Sequence, residues 1–206
     1  MSYFARVVES EIVGTLYSPM DDALLMAQHQ SLGQTLVPIT LTEYASPTLN
    51  QTRYYKNGAL HEREAAPNAH SIWNNDLAIW QVNLPMLKAE KSSSIAESCK
   101  NEIIGGFISN ALGADYLYPN NAEDQTNLSG TVLMSTLPTQ LPGAVYLFKC
   151  KSADGVWNFR PHTAAQVQQV GAASYAFILA ARVKNATLQA QILAATTSAQ
   201  VEAVQW

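Results

Sequence analysis

Four histidines, two cysteines and sixteen Asp and Glu residues are the side chains with which this 206-residue chain could do acid–base, nucleophilic or metal chemistry. The histidines His29, His61, His70 and His162 are scattered. His61, Glu62, Glu64 and His70 form one loose group of metal-ligand types. A zinc site needs such ligands to converge, whereas adjacent residues of a strand point to opposite faces, so His61 and Glu62 read as an exposed hairpin edge. Cys99 and Cys150 match no zinc or redox spacing and read as small buried thiols in a reducing compartment. There is no glycine-rich phosphate loop, no zincin helix and no nucleophile elbow. Glycoside hydrolysis would need two carboxylates a few ångströms apart, and sequence places no such pair. The expectation is a non-enzymatic chain with no catalytic residue, no metal and no cofactor.

Arg160-Pro161-His162-Thr163 is the most distinctive local sequence. Around it lie the candidate interface residues Trp157, Arg160, His162, Gln166 and Gln169. His162 precedes a helix cap and reads as a group that hydrogen-bonds locally and fixes the start of that helix, the alternative being that it faces a partner. Trp157 and Phe159 alternate onto one strand face, which reads as core ahead of a ligand platform.

The elements that must position these residues fall into two parts. In residues 1–82, Tyr3–Val8 and Ile12–Leu16 predict a hairpin around Glu9-Ser10-Glu11. Ser18-Pro19-Met20-Asp21 predicts a helix start, with Ser18 as N-cap and the helix running to about His29 before Gly33. Leu36–Leu41 predicts a strand. Thr52–Lys56 and Ala59–Arg63 flank Asn57-Gly58, a strong type I′ hairpin signal. Ser71–Trp73 and Leu77–Val82 predict a further pair.

The character changes at Asn83-Leu84-Pro85, which opens a helix to about Ile104 with Leu84, Leu87, Ile95, Cys99 and Ile103 on one face. Gly105-Gly106 stops it. Phe107–Ser109 and Tyr116–Tyr118 predict a hairpin, and Asn121 opens a helix through about Thr136 with Leu128 and Val132 inward. Pro138 and Pro142 bracket a loop. Val145–Lys151 and Val156–Arg160 predict a hairpin around Ser152-Ala153-Asp154-Gly155. Pro161-His162-Thr163 then turns the chain into its longest helix, opened by the capping box Thr163-Ala164-Ala165-Gln166 and running to about Ala194. About 31 residues span about 46 Å. Its stripe of Val167, Val170, Ser174, Phe177, Ala181 and Leu188 either packs wholly within its own domain or leaves one end projecting to bind another chain. Thr197–Gln200 repeats the capping pattern before a last short helix. The fold class is α+β: a β-rich N-terminal unit, residues 1–82, followed by a helical module with hairpins, residues 83–206, that reads as built for protein contacts.

Composition narrows the class further. Hydrophobic residues make up 48% of the chain, so a packed core is expected. Charged residues are 14%, well under the roughly 25% of a typical soluble domain. Since charge is depleted at the core of protein interfaces, this is compatible with a chain that works inside an assembly, the alternative being an ordinary soluble protein with a bland, weakly charged surface. The net charge of −4 and the absence of a Lys/Arg cluster argue against nucleic-acid binding. No apolar run reaches the ~18 residues of a membrane span, and the N-terminal residues do not read as a signal peptide.

From about Lys88 to Trp206 the chain resembles a bacteriophage domain of unknown function found at the C-terminus of tail-associated and tail-fibre-associated proteins. The resemblance rests on Gly106–Gly113, Glu123–Leu128, Asp154–Trp157, Arg160–Gly171 and the closing Ala194–Thr197, Val201 and Trp206. The N-terminal part is similar in organisation to the β-rich leaders of such proteins. The resemblance implies a tail structural or adaptor protein of the tail fibre or baseplate, located in the virion tail and in the host cytoplasm during assembly. Its partners would be other phage tail or tail-fibre proteins, with self-association also open. The alternative it leaves is a tail-fibre assembly chaperone that binds the fibre and need not remain in the particle. The resemblance carries no catalytic or metal residue.

Overall fold

The computed structural model describes residues 2–19, 22–137 and 143–206. Met20, Asp21, Pro138 and Pro142, which figured in the expected helix start and loop, lie outside the described residues. The chain is mixed α+β and divides into two compact units, Met1–Asn83 and Leu84–Trp206.

In the first unit, β1 (Ser2–Val8) and β2 (Glu11–Ser18) pair antiparallel. Glu9 and Ser10 turn between them with φ of 48° and 69°, so both centre residues of this tight turn adopt the left-handed region. After α1 (Asp22–Ser31), β3 (Thr35–Ile39) joins the other side of β1, giving the order β2-β1-β3. The central strand is buried on both faces, with Phe4 and Ala5 pointing opposite ways into packed surroundings. Two expected boundaries shift. Ser18 is the last residue of β2, buried and paired with Ser2, because the strand continues as far as β1 offers it a partner. The Leu36–Leu41 strand stops at Ile39, because Thr40 caps α2 (Leu41–Tyr44) through a reciprocal box with Glu43. Next come α3 (Leu49–Thr52), the hairpin of β4 (Arg53–Lys56) and β5 (Ala59–Glu62), and the hairpin of β6 (Ser71–Asn74) and β7 (Ile79–Val82). Asn57 and Gly58 have φ of 52° and 85°, as the type I′ turn requires.

The second unit opens with α4 (Leu84–Ile104), which buries Ile95 and Cys99. Gly106 ends it with φ of +99°. Four antiparallel strands follow: β8 (Phe107–Ser109), β9 (Tyr116–Tyr118), β10 (Tyr146–Lys151) and β11 (Trp157–His162), in the spatial order β11-β10-β9-β8. Between β9 and β10 runs α5 (Ala122–Thr136), opened by a reciprocal box between Asn121 and Asp124. Pro161 lies within β11 and is tolerated there because β11 is an edge strand. The helices α6 (Ala164–Ala194) and α7 (Ser198–Ala203) start at the Thr163/Gln166 and Thr197/Gln200 boxes.

The main core joins sheet and helices through Phe107, Ala111, Tyr118, Leu128, Cys150 and Val170. A smaller core places Ile95 of α4 against Ile192 of α6 and Val204. The buried residues of α6 run along one stripe from Val167 to Ile192, so the helix packs along its length and no end projects. Where α5 crosses α6, the absence of a side chain at Gly171 sets the approach, since a Cβ there would stand 2.6 Å from Val132 Cγ2. Gln168 beside it donates to the Ser135 carbonyl at 3.2 Å.

Candidate contact surface

Strand β11 sorts its side chains by parity. Arg160 and His162 turn inward, whereas Trp157 and Phe159 turn outward with Leu147 and Lys149 of β10. His162 is only 1% exposed. Its Nδ1 lies 2.9 Å from the Arg160 carbonyl oxygen and its Nε2 lies 2.8 Å from the Tyr118 hydroxyl. A carbonyl only accepts, so Nδ1 carries the proton and donates, and Nε2 accepts from Tyr118. Burial lowers the His162 pKa, which favours this neutral ring. The Arg160 guanidinium sits 5.0 Å over the Tyr116 ring and donates to Ser152 Oγ at 3.0 Å. His162 thus holds the end of β11 to β9 and leaves the set of residues a partner can touch.

Cys150 is fully buried beside this network, and burial pushes its thiol up, so it stays protonated. Cys99, also buried and free, points at the Ala181 carbonyl at 3.5 Å. Neither thiol should react with a thiol-specific reagent such as dithiobis(nitrobenzoic acid) in the native chain, and both should titrate at once in guanidinium. Rapid labelling of either under native conditions would contradict this packing.

The outward face of the sheet is different. Phe159 is 69% exposed, Leu147 65% and Ile108 55%, with Trp157 partly exposed beside them. The ammonium groups of Lys149 and Lys151 lie 5.8 and 5.5 Å from the Trp157 ring, within cation–π range. Beside this face, a groove of about 400 Å³ opens between the hairpin and α5 and reaches the core residues Phe107, Tyr118, Leu128, Phe148 and Val170, with Leu147, Lys149 and Phe159 on the hairpin side and Asp124, Asn127 and Thr131 on the α5 side. The expectation that Trp157 and Phe159 form core is therefore corrected. β10 and β11 are packed on their inner face, and within the Leu84–Trp206 unit their outer face carries the exposed Leu147, Trp157 and Phe159.

The five candidate interface residues do not form one patch. Trp157 and His162 stand at opposite ends of β11, about 17 Å apart along the strand, and on opposite faces. Gln166 is held in the α6 cap, its side-chain oxygen accepting from the Thr163 amide at 2.8 Å. Gln169 donates to Asn110 Oδ1 at 2.8 Å. Leu147 and Ile108 were missed as surface residues because alternation gives two faces without saying which is covered. A second uncovered apolar face lies on α6, where Tyr175, Leu179, Val183 and Leu193 are exposed.

In the first unit the side chains of His61 and Glu62 from the loose His/acid group are engaged otherwise, and Glu64 is held through its backbone. The His61 ring stacks on Tyr54 at 5.3 Å, Glu62 pairs with Arg53 at 3.2 Å, and the Trp80 indole donates to the Glu64 carbonyl at 2.9 Å. Among the described residues, no three His, Cys, Asp or Glu side chains converge as metal ligands.

The module is thus an α+β domain with a buried polar lock and two apolar faces open to contact. Residues 86–205 match the family described as a domain of unknown function, DUF4376, and the chain belongs to that family. No curated protein and no solved structure matches the chain. Among the described residues, no helix is long and apolar enough to cross a membrane.

Proposed function

We propose that this chain is a non-enzymatic structural or adaptor protein of a bacteriophage tail, associated with the tail fibre or baseplate. The observation that carries the contact role is the pair of uncovered apolar faces on one small module, the outer sheet face with Phe159 and Leu147 and the outer face of α6. Exposed apolar areas of this kind mark protein interaction sites. The chain's low charge supports the same reading, since few ions need be stripped of water when such faces are covered. The side chains best suited to catalysis in this unit support it too, because both cysteines and His162 are buried in packing and hydrogen bonding. The assignment to a phage tail rests on the sequence resemblance described above.

The test is protein composition of purified particles by quantitative mass spectrometry. The chain should be present at a fixed copy number relative to the fibre protein. Its absence from intact particles would sink the structural role. If co-expression then made an otherwise insoluble fibre protein soluble, the chain would be the fibre's assembly chaperone instead.

A further inference from the structure

We propose that two copies of this chain pair antiparallel along the outer face of α6. The midline of that uncovered face is Ala172, Leu179, Ala186 and Leu193, spaced seven residues apart, all exposed. Heptad spacing is the repeat that keeps one helix face on a neighbouring helix. The alternation of small and large side chains along it is self-complementary in one arrangement. With a two-fold axis between positions 182 and 183, Ala172 of one copy faces Leu193 of the second, and Leu179 faces Ala186. Each large side chain then meets a small one, the interdigitation that close packing requires. An in-register parallel pair would instead set Leu on Leu and leave gaps at the alanines. An isologous pair needs a single patch that complements itself, which this stripe is.

The flanks fit the same axis. Val183, also exposed, meets Val183 of the second copy on one side. Arg182 lies on the other, at the rim, where its stem can cover apolar surface while the guanidinium stays in water. The only other charge on α6, Lys184, is turned away, within 3.8 Å of Glu102 and over the Trp206 ring at 4.3 Å. Tyr175, 68% exposed, and Leu193, 79% exposed, carry the ends of the stripe. With the exposed parts of Leu179, Val183 and the alanines, the stripe offers each copy at most roughly 600 Å², so a fully covered pair would reach about 1,200 Å², the lower end of the range for a specific assembly.

The pairing is independent of the tail assignment, because a chain found in particles can still be monomeric on its own. The test is the mass of the purified full chain by light scattering and sedimentation up to about 100 µM. A concentration-dependent dimer is expected, weakened more than about tenfold by Leu179→Glu, with circular dichroism confirming that this surface variant folds. Val183→Cys should oxidise to a cross-linked dimer, whereas Thr187→Cys, exposed on the same helix but off the axis, should not. A wild-type chain that stays monomeric, or a dimer indifferent to Leu179→Glu, would overturn the proposal. Equal cross-linking of the two cysteine variants would overturn the two-fold.

Discussion

Replacing Gly106 by alanine is expected to destabilise the Leu84–Trp206 unit by about 3–5 kcal/mol, far more than one added methyl usually costs. Two causes add at this position. The backbone has φ of +99°, a region that costs a residue with a Cβ about 1–3 kcal/mol. The new Cβ would also stand 2.5 Å from the Tyr118 carbonyl oxygen and 3.2 Å from a Leu117 methyl. The oxygen belongs to the β9 backbone, so it cannot swing aside as a flexible side chain would. Relief requires β8 to move from β9 at the Phe107–Tyr118 pair, and both residues are in the main core. Gly113 supplies the control. Its φ of +86° is similar, yet nothing lies within 4 Å of its Cβ direction. Gly113→Ala therefore carries the conformational cost alone. Urea denaturation of the full chain, followed by circular dichroism, measures both. If the two variants lost equal stability, the steric part of this account would be wrong.

The second large effect belongs to His162. Truncation to alanine removes a buried ring and strands the Tyr118 hydroxyl, for an expected loss of about 3–4 kcal/mol at neutral pH. The effect depends on pH with a definite sign. Burial depresses the folded-state pKa of His162 below the ordinary ~6.5, so the unfolded chain takes up its proton first as pH falls. The neutral ring's contribution is complete above about pH 6.5 and declines as the solution is acidified through that value toward the lower folded-state pKa. The stability gap between wild type and His162→Ala should therefore narrow from pH 7.5 to pH 5.5. His29, His61 and His70 are common to both chains and cancel in the difference. A gap that is constant with pH would show that the ring is not held neutral. Tyr118→Phe should cost less, about 1–3 kcal/mol, because it removes one donor and leaves the packing of both rings intact.

Local chemistry was legible in the residues themselves. Asn57-Gly58, the Thr163/Gln166 and Thr197/Gln200 boxes and the Gly105-Gly106 stop each act within a few residues, and each stands where its chemistry puts it. Thr40/Glu43 is a box of the same kind, obscured because the β-branched run before it extends to Leu41. What could not be read was partnership across long separations. Nothing near Leu36 says that β3 pairs with β1, and Ser18 looks like a cap until β1 is seen beside it. The same limit governs the candidate residues. Alternation put Trp157 and Phe159 on one face correctly, but the strand runs on through His162 where a turn was expected, and the choice of inner face depends on Tyr118, 44 residues before His162. The face expected to be core is the one left open.

The smaller core has a consequence for how the chain comes into being. Ile95 is in α4, the first helix of the second unit, and what covers it is Ile192, Val204 and Trp206, about a hundred residues later. Helix α4 thus leaves the ribosome with its apolar face bare, and no nearby segment closes over it. At roughly 5–20 residues per second, that face waits several seconds for its cover. The hairpins can form in the interval, since their contacts are local, but docking of α4 cannot precede α6 and α7. A nascent chain halted before Ile192 would therefore display Ile95 to any holdase in reach, and the released, folded chain would not.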